Sequence, residues 1–153
     1  MNEAQIADMG RNMGFDVVVR EMDWNVLKVA QFVNSFDVMM GVHGAGLTNM
    51  VFLPERAVLI QIIPFGLDLL AKSFYQLPAN DMEFRYLEYN VSLNESSLLG
   101  KYPVHSEFYR APVGVQNKGW HGFRSVYMDN QDVNLDLTNF RETLLKALKL
   151  LSS

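Results

Sequence analysis

Apolar residues recur along this chain at two alternating spacings, one typical of helices and the other of buried strands. Residues 1–13 place Ile6, Met9 and Met13 at helical intervals, and Gly14 follows where a helix C-terminus favours glycine. A second helix is predicted to begin after Asp23, which would be its N-cap. The predicted apolar face of this helix consists of Val26, Leu27, Ala30 and Val33.

Compact apolar and β-branched runs predict four strands. These are Phe15–Val19, Phe36–Val42, Ala57–Ile63 and Phe84–Tyr89. Between the later strands, Leu47–Leu53 can turn into a helix and Leu67–Tyr75 is predicted to form another. Strands that alternate with helices at this spacing indicate βαβ units. We therefore expect an α/β fold in which a Rossmann-like parallel sheet is flanked by helices.

The pattern becomes irregular after Asn90. From there to Asn130 the chain is rich in Ser, Asn, Gly, Pro and aromatic residues, and no helix or strand is predicted. A last helix is predicted from about Thr138 to Leu151, for which Asp136, Thr138 and Asn139 are alternative N-caps. Its apolar stripe contains Leu137, Phe140, Leu144, Leu148 and Leu151.

Composition narrows the possible classes of protein. A chain of 153 residues, 49% hydrophobic and 20% charged, fits one globular domain spanning residues 1–153. Its formal charge of −4 argues against nucleic-acid binding. With no cysteine, thiolate zinc sites, iron–sulfur clusters and disulfides are excluded. The apolar run at Ala57–Ile63 is far shorter than the roughly 20 residues of a membrane span, so we expect any anchor or targeting segment to lie outside this chain.

The strongest candidate for chemistry is the turn after the second predicted strand. It reads His43-Gly44-Ala45-Gly46, where the glycines allow a ligand to approach the backbone closely. Free N–H groups at a helix start suit the phosphates of a nucleotide diphosphate, and Thr48 and Asn49 offer further hydrogen bonds. An alternative is that the small residues only let the helix pack closely on the sheet. His43 has a structural alternative too, as a hydrogen-bonded histidine without a catalytic role.

Other ligand motifs fit this turn poorly. A Walker loop needs a Gly-Lys-Ser/Thr sequence, and no lysine is near. The dinucleotide fingerprint needs a third glycine where Asn49 stands, and an acid at the end of the next strand, which instead ends Ile62-Ile63-Pro64. The histidines, at positions 43, 105 and 121, have no metal-ligand spacing, and no Asp-x-Asp occurs. We therefore expect no metal cofactor.

The turn and its flanks resemble the signature of glycosyltransferase family 61. The resemblance begins with Ser35-Phe36-Asp37-Val38-Met39-Met40-Gly41-Val42-His43-Gly44-Ala45-Gly46-Leu47-Thr48-Asn49 and Phe52-Leu53-Pro54. It continues through Gln61-Ile62-Ile63-Pro64-Phe65-Gly66, Tyr86-Leu87-Glu88-Tyr89, Gly119-Trp120 and Gln131-Asp132-Val133, and is strongest to the plant xylan arabinosyl- and xylosyltransferases. Ala111-Pro112 departs from it, because the family tends to have Asp-Pro there.

This resemblance implies the C-terminal half of a GT-B enzyme that transfers a sugar from a UDP-sugar with inversion. The acceptor would be xylan or an N-glycan, and the full-length protein a single-pass Golgi membrane protein. The N-terminal acceptor domain and the anchor would be absent from this chain. A truncated, non-catalytic nucleotide-sugar-binding module is the alternative.

The resemblance also implies roles for particular residues. The donor diphosphate and sugar would contact His43, Gly44, Ala45, Gly46, Leu47, Thr48 and Asn49. Gln61 and Gly66 would lie near the nucleotide, or would only form a strand end and a turn. His43 is a candidate general base for the acceptor hydroxyl. Alternatively, it donates a hydrogen bond to the departing phosphate while the missing domain supplies the base.

Two further features have weaker signals. Asn90-Val91-Ser92 and Asn94-Glu95-Ser96 are N-glycosylation sequons, as a lumenal protein would carry, so Asn90 and Asn94 are candidate modification sites. Phe108, Tyr109 and Trp120 can stack on sugars, or can simply pack against one another.

Overall fold

The centre of the molecule is a three-stranded parallel sheet in the order β1–β2–β3. The structure is a computed structural model that describes residues 1–22, 25–103 and 105–152. The strands are β1 (Val38–Val42), β2 (Val58–Ile63) and β3 (Arg85–Asn90). The middle strand β2 is buried along its whole length, as its apolar sequence, interrupted only by Gln61, predicts. The predicted α/β class, a parallel sheet flanked by helices, is confirmed.

Helices cover both faces of this sheet. In chain order they are α1 (Glu3–Asn12), α2 (Val26–Val33), α3 (Asp68–Ala71), α4 (Leu77–Asp81), α5 (Glu107–Arg110), α6 (Pro112–Lys118), α7 (Trp120–Arg124) and α8 (Leu137–Leu151). On one face, α1 and α8 share a core with the side chains of Val58, Ile60 and Ile62. On the other face, α2 and a 3₁₀-helix at Ala45–Phe52 pack around Leu59. Alternate residues of β2 thus serve two cores.

The predicted strand at Phe15–Val19 is wrong. The first helix ends as predicted, with Gly14 at a φ of 97° and the Phe15 amide donating to the Gly10 carbonyl. Residues 15–20 form no strand, and together with residues 38–42 they line a cavity of about 430 Å³. Val18 and Val19 are more than half exposed. The apolar run therefore lines a cleft instead of forming a ladder.

The second helix starts later than predicted. Its N-cap is Asn25, whose side chain accepts from the Lys28 amide, while Asp23 lies outside the described residues. Val26 and Leu27 are each about two-thirds exposed, so the predicted apolar face was wrong on this side. Val29 and Val33 are the buried residues of α2. The buried face differs from the predicted one because the orientation of this short helix against the sheet decides which of its residues are buried.

The helix predicted over Leu67–Tyr75 is longer and less regular than expected. It runs from α3 through a π-helical turn at Lys72–Gln76 and into α4. A π turn accommodates one extra residue, which changes the direction of every later side chain relative to a regular helix. A similar π turn, Ser125–Asp129, follows α7 in the region where no element was predicted.

The buried carboxylate of Glu95 joins the end of β3 to the start of α8. It accepts hydrogen bonds from the Tyr89 hydroxyl, from the amide and hydroxyl of Ser92, and from the Asp136 amide at 2.7 Å. Asp136 is the N-cap of α8, since its side chain accepts from the Thr138 and Asn139 amides. Glu95 thus connects β3 to the N-cap of α8, which lies 41 positions after Glu95 in the sequence.

Candidate active site

His43 lies at the carboxyl edge of the parallel sheet, where ligands bind in open α/β folds. It follows the last residue of β1, and its backbone amide donates to the Ile62 carbonyl of β2 at 2.8 Å. This bond extends the β1–β2 ladder by one residue and holds the His43 backbone in place. The glycine turn then leaves the sheet directly after a fixed position.

The glycine turn opens toward solvent. A Cβ placed on Gly46 would meet no atom within 4 Å, and one on Gly44 would meet only the Val42 carbonyl at 3.8 Å. Ala45 and Gly46 are exposed, and within the described residues their amides have no backbone acceptor. After His43, the next backbone amide that donates is that of Leu47, to the Gly44 carbonyl. Two free N–H groups at a helix start, in open space, are suited to bind an anion.

The other predicted donor-contacting residues of this segment are already engaged within the protein. Thr48 Oγ1 donates to the Ala45 carbonyl at 2.6 Å, and the side-chain amide of Asn49 donates to the Gly46 carbonyl at 3.0 Å. Both bonds brace the turns of the 3₁₀-helix. The Leu47 side chain is only 2% exposed and belongs to the core against α2. Its contribution is therefore to packing.

Gln61 is fully buried in the centre of β2 and contacts His43 instead of open space. Its Nε2 lies 2.7 Å from His43 Nδ1, and its Oε1 accepts from the Tyr86 hydroxyl at 2.6 Å. Gln61 pairs in register with Gly41 of β1 and Glu88 of β3. His43 and Tyr86 each lie two residues from one of these partners, so their side chains lie on the same face of the sheet as that of Gln61. Any effect of Gln61 on a ligand must therefore pass through His43.

Two aromatic residues that the sequence analysis did not single out complete the surroundings of His43. The ring of Tyr75 lies edge-to-face with the imidazole at 5.2 Å between centroids, and Phe74 does so at 6.3 Å. The Tyr75 hydroxyl donates to the Gly44 carbonyl, so this residue also holds the glycine turn. Both lie in the first π turn. Apolar spacing carries no signal for such a turn, so these neighbours could not be found from the sequence.

The electrostatics of this site favour neutral groups. Burial lowers the pKa of His43, so the imidazole is uncharged at neutral pH. Burial also raises the pKa of the Tyr75 hydroxyl. For Tyr86, burial first and the nearby Glu88 carboxylate second raise the pKa far above its usual value. Both phenols thus keep their protons and remain hydrogen-bond donors.

Gly66 has a structural reason to be glycine. It follows β2 with a φ of 84°, and a Cβ there would come within 2.7 Å of the Tyr127 ring and 3.2 Å of the Pro112 side chain. Its place beyond the end of β2 agrees with the predicted turn. The packing of Tyr127 accounts for the glycine without a ligand.

The aromatic residues that were predicted to stack on sugars or on one another differ in their contacts and exposure. Tyr109 accepts from the Tyr102 amide and donates to the Leu98 carbonyl, and Phe108 packs on the Tyr102 ring. These contacts agree with the packing interpretation of both residues. Trp120 is 47% exposed and stacks on Phe123.

Asn90 and Asn94 are both exposed. The hydroxyls of their sequons are engaged inside the protein, where Ser92 Oγ donates to Glu95 and Ser96 Oγ donates to Gln131. Glycosylation at these two residues stays a prediction. In the part of the chain that the structure describes, no helix has the length and hydrophobicity needed to cross a membrane.

Comparison with known proteins supports the resemblance. The model of the Glycosyltransferase 61 family matches residues 1–60, which include the whole glycine turn. The chain is 44% identical over 151 residues to the alpha-1,3-arabinosyltransferase XAT3 of Oryza sativa subsp. japonica, covering 97% of this chain and 26% of the relative. This chain is similar to glycosyltransferases over nearly its whole length, and its first 60 residues match family 61.

Further relatives match over a similar length. Identity is 41% over 152 residues to the beta-1,2-xylosyltransferase XYXT1 of the same rice, covering 99% of this chain and 33% of the relative. It is 35% over 148 residues to the xylan glycosyltransferase MUCI21 of Arabidopsis thaliana, covering 95% and 30%. The chain therefore spans between about a quarter and a third of the length of these relatives.

Proposed function

We propose that this chain binds the diphosphate of a UDP-sugar, as the donor-binding part of an inverting pentosyltransferase. The observation that carries the proposal is the open glycine turn beside His43 at the carboxyl edge of the sheet, in a chain whose first 60 residues match glycosyltransferase family 61. Its relatives, an arabinosyltransferase, a xylosyltransferase and a xylan glycosyltransferase, favour a pentose donor and a xylan acceptor. An N-glycan acceptor is the other possibility within the same chemistry.

In this proposal the diphosphate lies at the start of the 3₁₀-helix Ala45–Phe52. The free amides of Ala45 and Gly46 and the partial positive charge of the helix start face its oxygens. N–H donors aimed at the leaving group stabilise the charge that develops as the glycosidic bond to phosphate breaks. Transfer is then metal-independent, because these donors and His43 take over the role that a divalent cation has in other sugar transferases.

The complete enzyme in this proposal is a GT-B protein of two Rossmann-like domains. This chain is the C-terminal, donor-binding domain, and a second domain supplies the acceptor surface. The protein acts in the Golgi. What supports this arrangement is the fraction of the relatives that the chain matches, about a quarter to a third. The alternative function is a nucleotide-sugar-binding module without transferase activity.

Calorimetric titration of the chain with UDP tests the donor site. We expect saturable binding that His43→Ala weakens by about tenfold or more, equivalent to about 1.4 kcal/mol. His121→Ala is the matched control, because His121 is exposed on α7. A folded chain that does not bind UDP would overturn the proposal.

A transfer assay separates the enzyme from the binding module. UDP-arabinose and UDP-xylose are incubated with the chain and xylo-oligosaccharides, with and without EDTA. Transfer that resists EDTA supports a metal-independent transferase. UDP binding without transfer supports the module, and transfer abolished by EDTA would contradict the metal-independent chemistry.

A further inference from the structure

A chain of hydrogen bonds runs from β3 through β2 to His43. Gln61 is the only fully buried polar side chain of the central strand, and both ends of its amide are paired. Its Oε1 accepts from the Tyr86 hydroxyl, and its Nε2 faces His43 Nδ1 at 2.7 Å. A buried amide without partners for both ends is costly, so the orientation of Gln61 is set by its two neighbours.

Tyr86 decides which end of the Gln61 amide faces the imidazole. A phenol that keeps its proton donates it, so the amide oxygen turns toward Tyr86 and the amide nitrogen toward His43. An amide N–H can only donate, and Nδ1 of His43 must therefore accept. A neutral imidazole with an accepting Nδ1 has its hydrogen on Nε2.

The Tyr86 proton has a second acceptor within reach, the Glu88 carboxylate. If the phenol donated to Glu88, the Gln61 amide could turn over, and His43 would carry its hydrogen on Nδ1 with Nε2 free to accept. Two contacts argue against that arrangement. The Glu88 carboxylate is exposed to solvent and accepts a hydrogen bond from the Asn90 side chain at 3.2 Å, so it does not need the Tyr86 hydroxyl as a donor. Gln61 Oε1, by contrast, is buried and has Tyr86 as its donor.

We propose that Tyr86 and Gln61 are positioning residues that hold His43 in the Nε2–H tautomer. His43 then presents a hydrogen-bond donor to an anionic oxygen and does not act as the general base. The tautomer follows from this chain alone, while the identity of the anion as the donor diphosphate rests on the proposed function. The acceptor hydroxyl must lose its proton to a different group, outside the His43 site.

Nitrogen-15 NMR of the labelled chain near pH 7 measures the tautomer directly. Long-range proton–nitrogen correlations of the imidazoles show which ring nitrogen is protonated, and the His43→Ala spectrum assigns the His43 signals. We expect a protonated Nε2 and an unprotonated Nδ1. A protonated Nδ1 in the unaltered chain would overturn the proposal whatever the variants show.

Three variants test whether Tyr86 sets the His43 tautomer through Gln61. Tyr86→Phe removes the donor to Gln61 Oε1, so the amide can turn over and the Nδ1–H form should increase. Gln61→Glu replaces the amide with an acceptor and should produce the same change if the variant folds. Glu88→Gln is the control, because Tyr86 still donates to Gln61 and the Nε2–H form should persist. An unchanged tautomer in a folded Tyr86→Phe chain would contradict the positioning role.

Binding of UDP by variants of His43 tests the role of the donated hydrogen. The Gln side chain in His43→Gln retains an N–H donor at similar reach, so its affinity should fall by only a few-fold. His43→Glu presents an acceptor and should lose about tenfold or more. Equal losses in the two variants would contradict the donor role. If the unaltered chain shows the expected tautomer but no UDP binding, the proposed function fails and the tautomer assignment stands.

Discussion

Gly41 lies directly beneath the side chain of Leu47, so that a Cβ on Gly41 would be 3.1 Å from Leu47 Cδ2. Through this contact the 3₁₀-helix packs against the end of β1. The glycine turn that connects the two faces solvent. Two of the three glycines of this segment thus have different roles. Gly41 permits close packing, while Gly46 leaves open space for a ligand.

Gly41→Ala should lower the free energy of unfolding by about 1 kcal/mol, because Leu47 has to move by a few tenths of an ångström in a packed core. Gly46→Ala is the matched variant and should change stability by less than about 0.5 kcal/mol, since its Cβ meets nothing within 4 Å. Urea unfolding measures both. In UDP titrations Gly46→Ala should be the variant with the weaker binding. The opposite ranking in stability would contradict the packing contact.

Gly66→Ala should be strongly destabilising. Its φ of 84° strains any residue with a Cβ, by about 1 kcal/mol, and the clash at 2.7 Å with the Tyr127 ring adds about 1–3 kcal/mol. Gly100 has the same φ of 84° and no neighbour within 4 Å, so Gly100→Ala carries the backbone strain alone. The difference between the two variants in thermal or urea unfolding isolates the contact with Tyr127. Equal losses of stability in the two variants would show that the contact with Tyr127 does not contribute.

Glu95→Gln should destabilise the chain by about 1–3 kcal/mol at pH 7, because buried donors from Tyr89, Ser92 and Asp136 lose a charged acceptor. Burial raises the pKa of Glu95, but these hydrogen bonds lower it more, so its pKa in the folded state lies below the usual 4.5. A depressed pKa of an acid stabilises the fold above its unfolded-state value, and this contribution is lost as the pH falls below about 4.5 through the folded-state pKa.

Urea unfolding of the unaltered chain, Glu95→Gln and Glu142→Gln across pH 3 to 7 measures this contribution. Glu142 is exposed on α8 and serves as the control. The gap between the unaltered chain and Glu95→Gln should narrow toward acid pH, while Glu142→Gln follows the unaltered chain. A gap that does not depend on pH would mean that the charge of Glu95 is unimportant.

Asp136→Ala should cost about 1 kcal/mol, because the first amides of α8 lose their side-chain acceptor. Asn139→Ala is the comparison within the same helix turn and should change stability by less than about 0.5 kcal/mol. Thermal unfolding by circular dichroism measures both. A larger effect at Asn139 would contradict Asp136 as the N-cap.

Hydrophobic periodicity alone predicted the order of the main elements. It identified all three strands of the sheet within two residues at each end, together with α1 and α8. It failed at Phe15–Val19, because an apolar run predicts burial or partial burial but not which backbone it pairs with. It also failed at α2, where the buried side of a helix of eight residues depends on how it meets the sheet.

The sequence by itself indicated the resemblance to glycosyltransferase family 61, the parallel α/β core and the position of the glycine turn, because each of these is read from residue patterns along the chain. Only the tertiary structure decided which groups meet at His43. Gln61 lies 18 residues away and Tyr86 a further 25, and Tyr75 reaches the site through a π turn that hydrophobic spacing does not encode. Strand register and a change of helix phase bring these polar atoms together, and both are properties of packing across the whole fold.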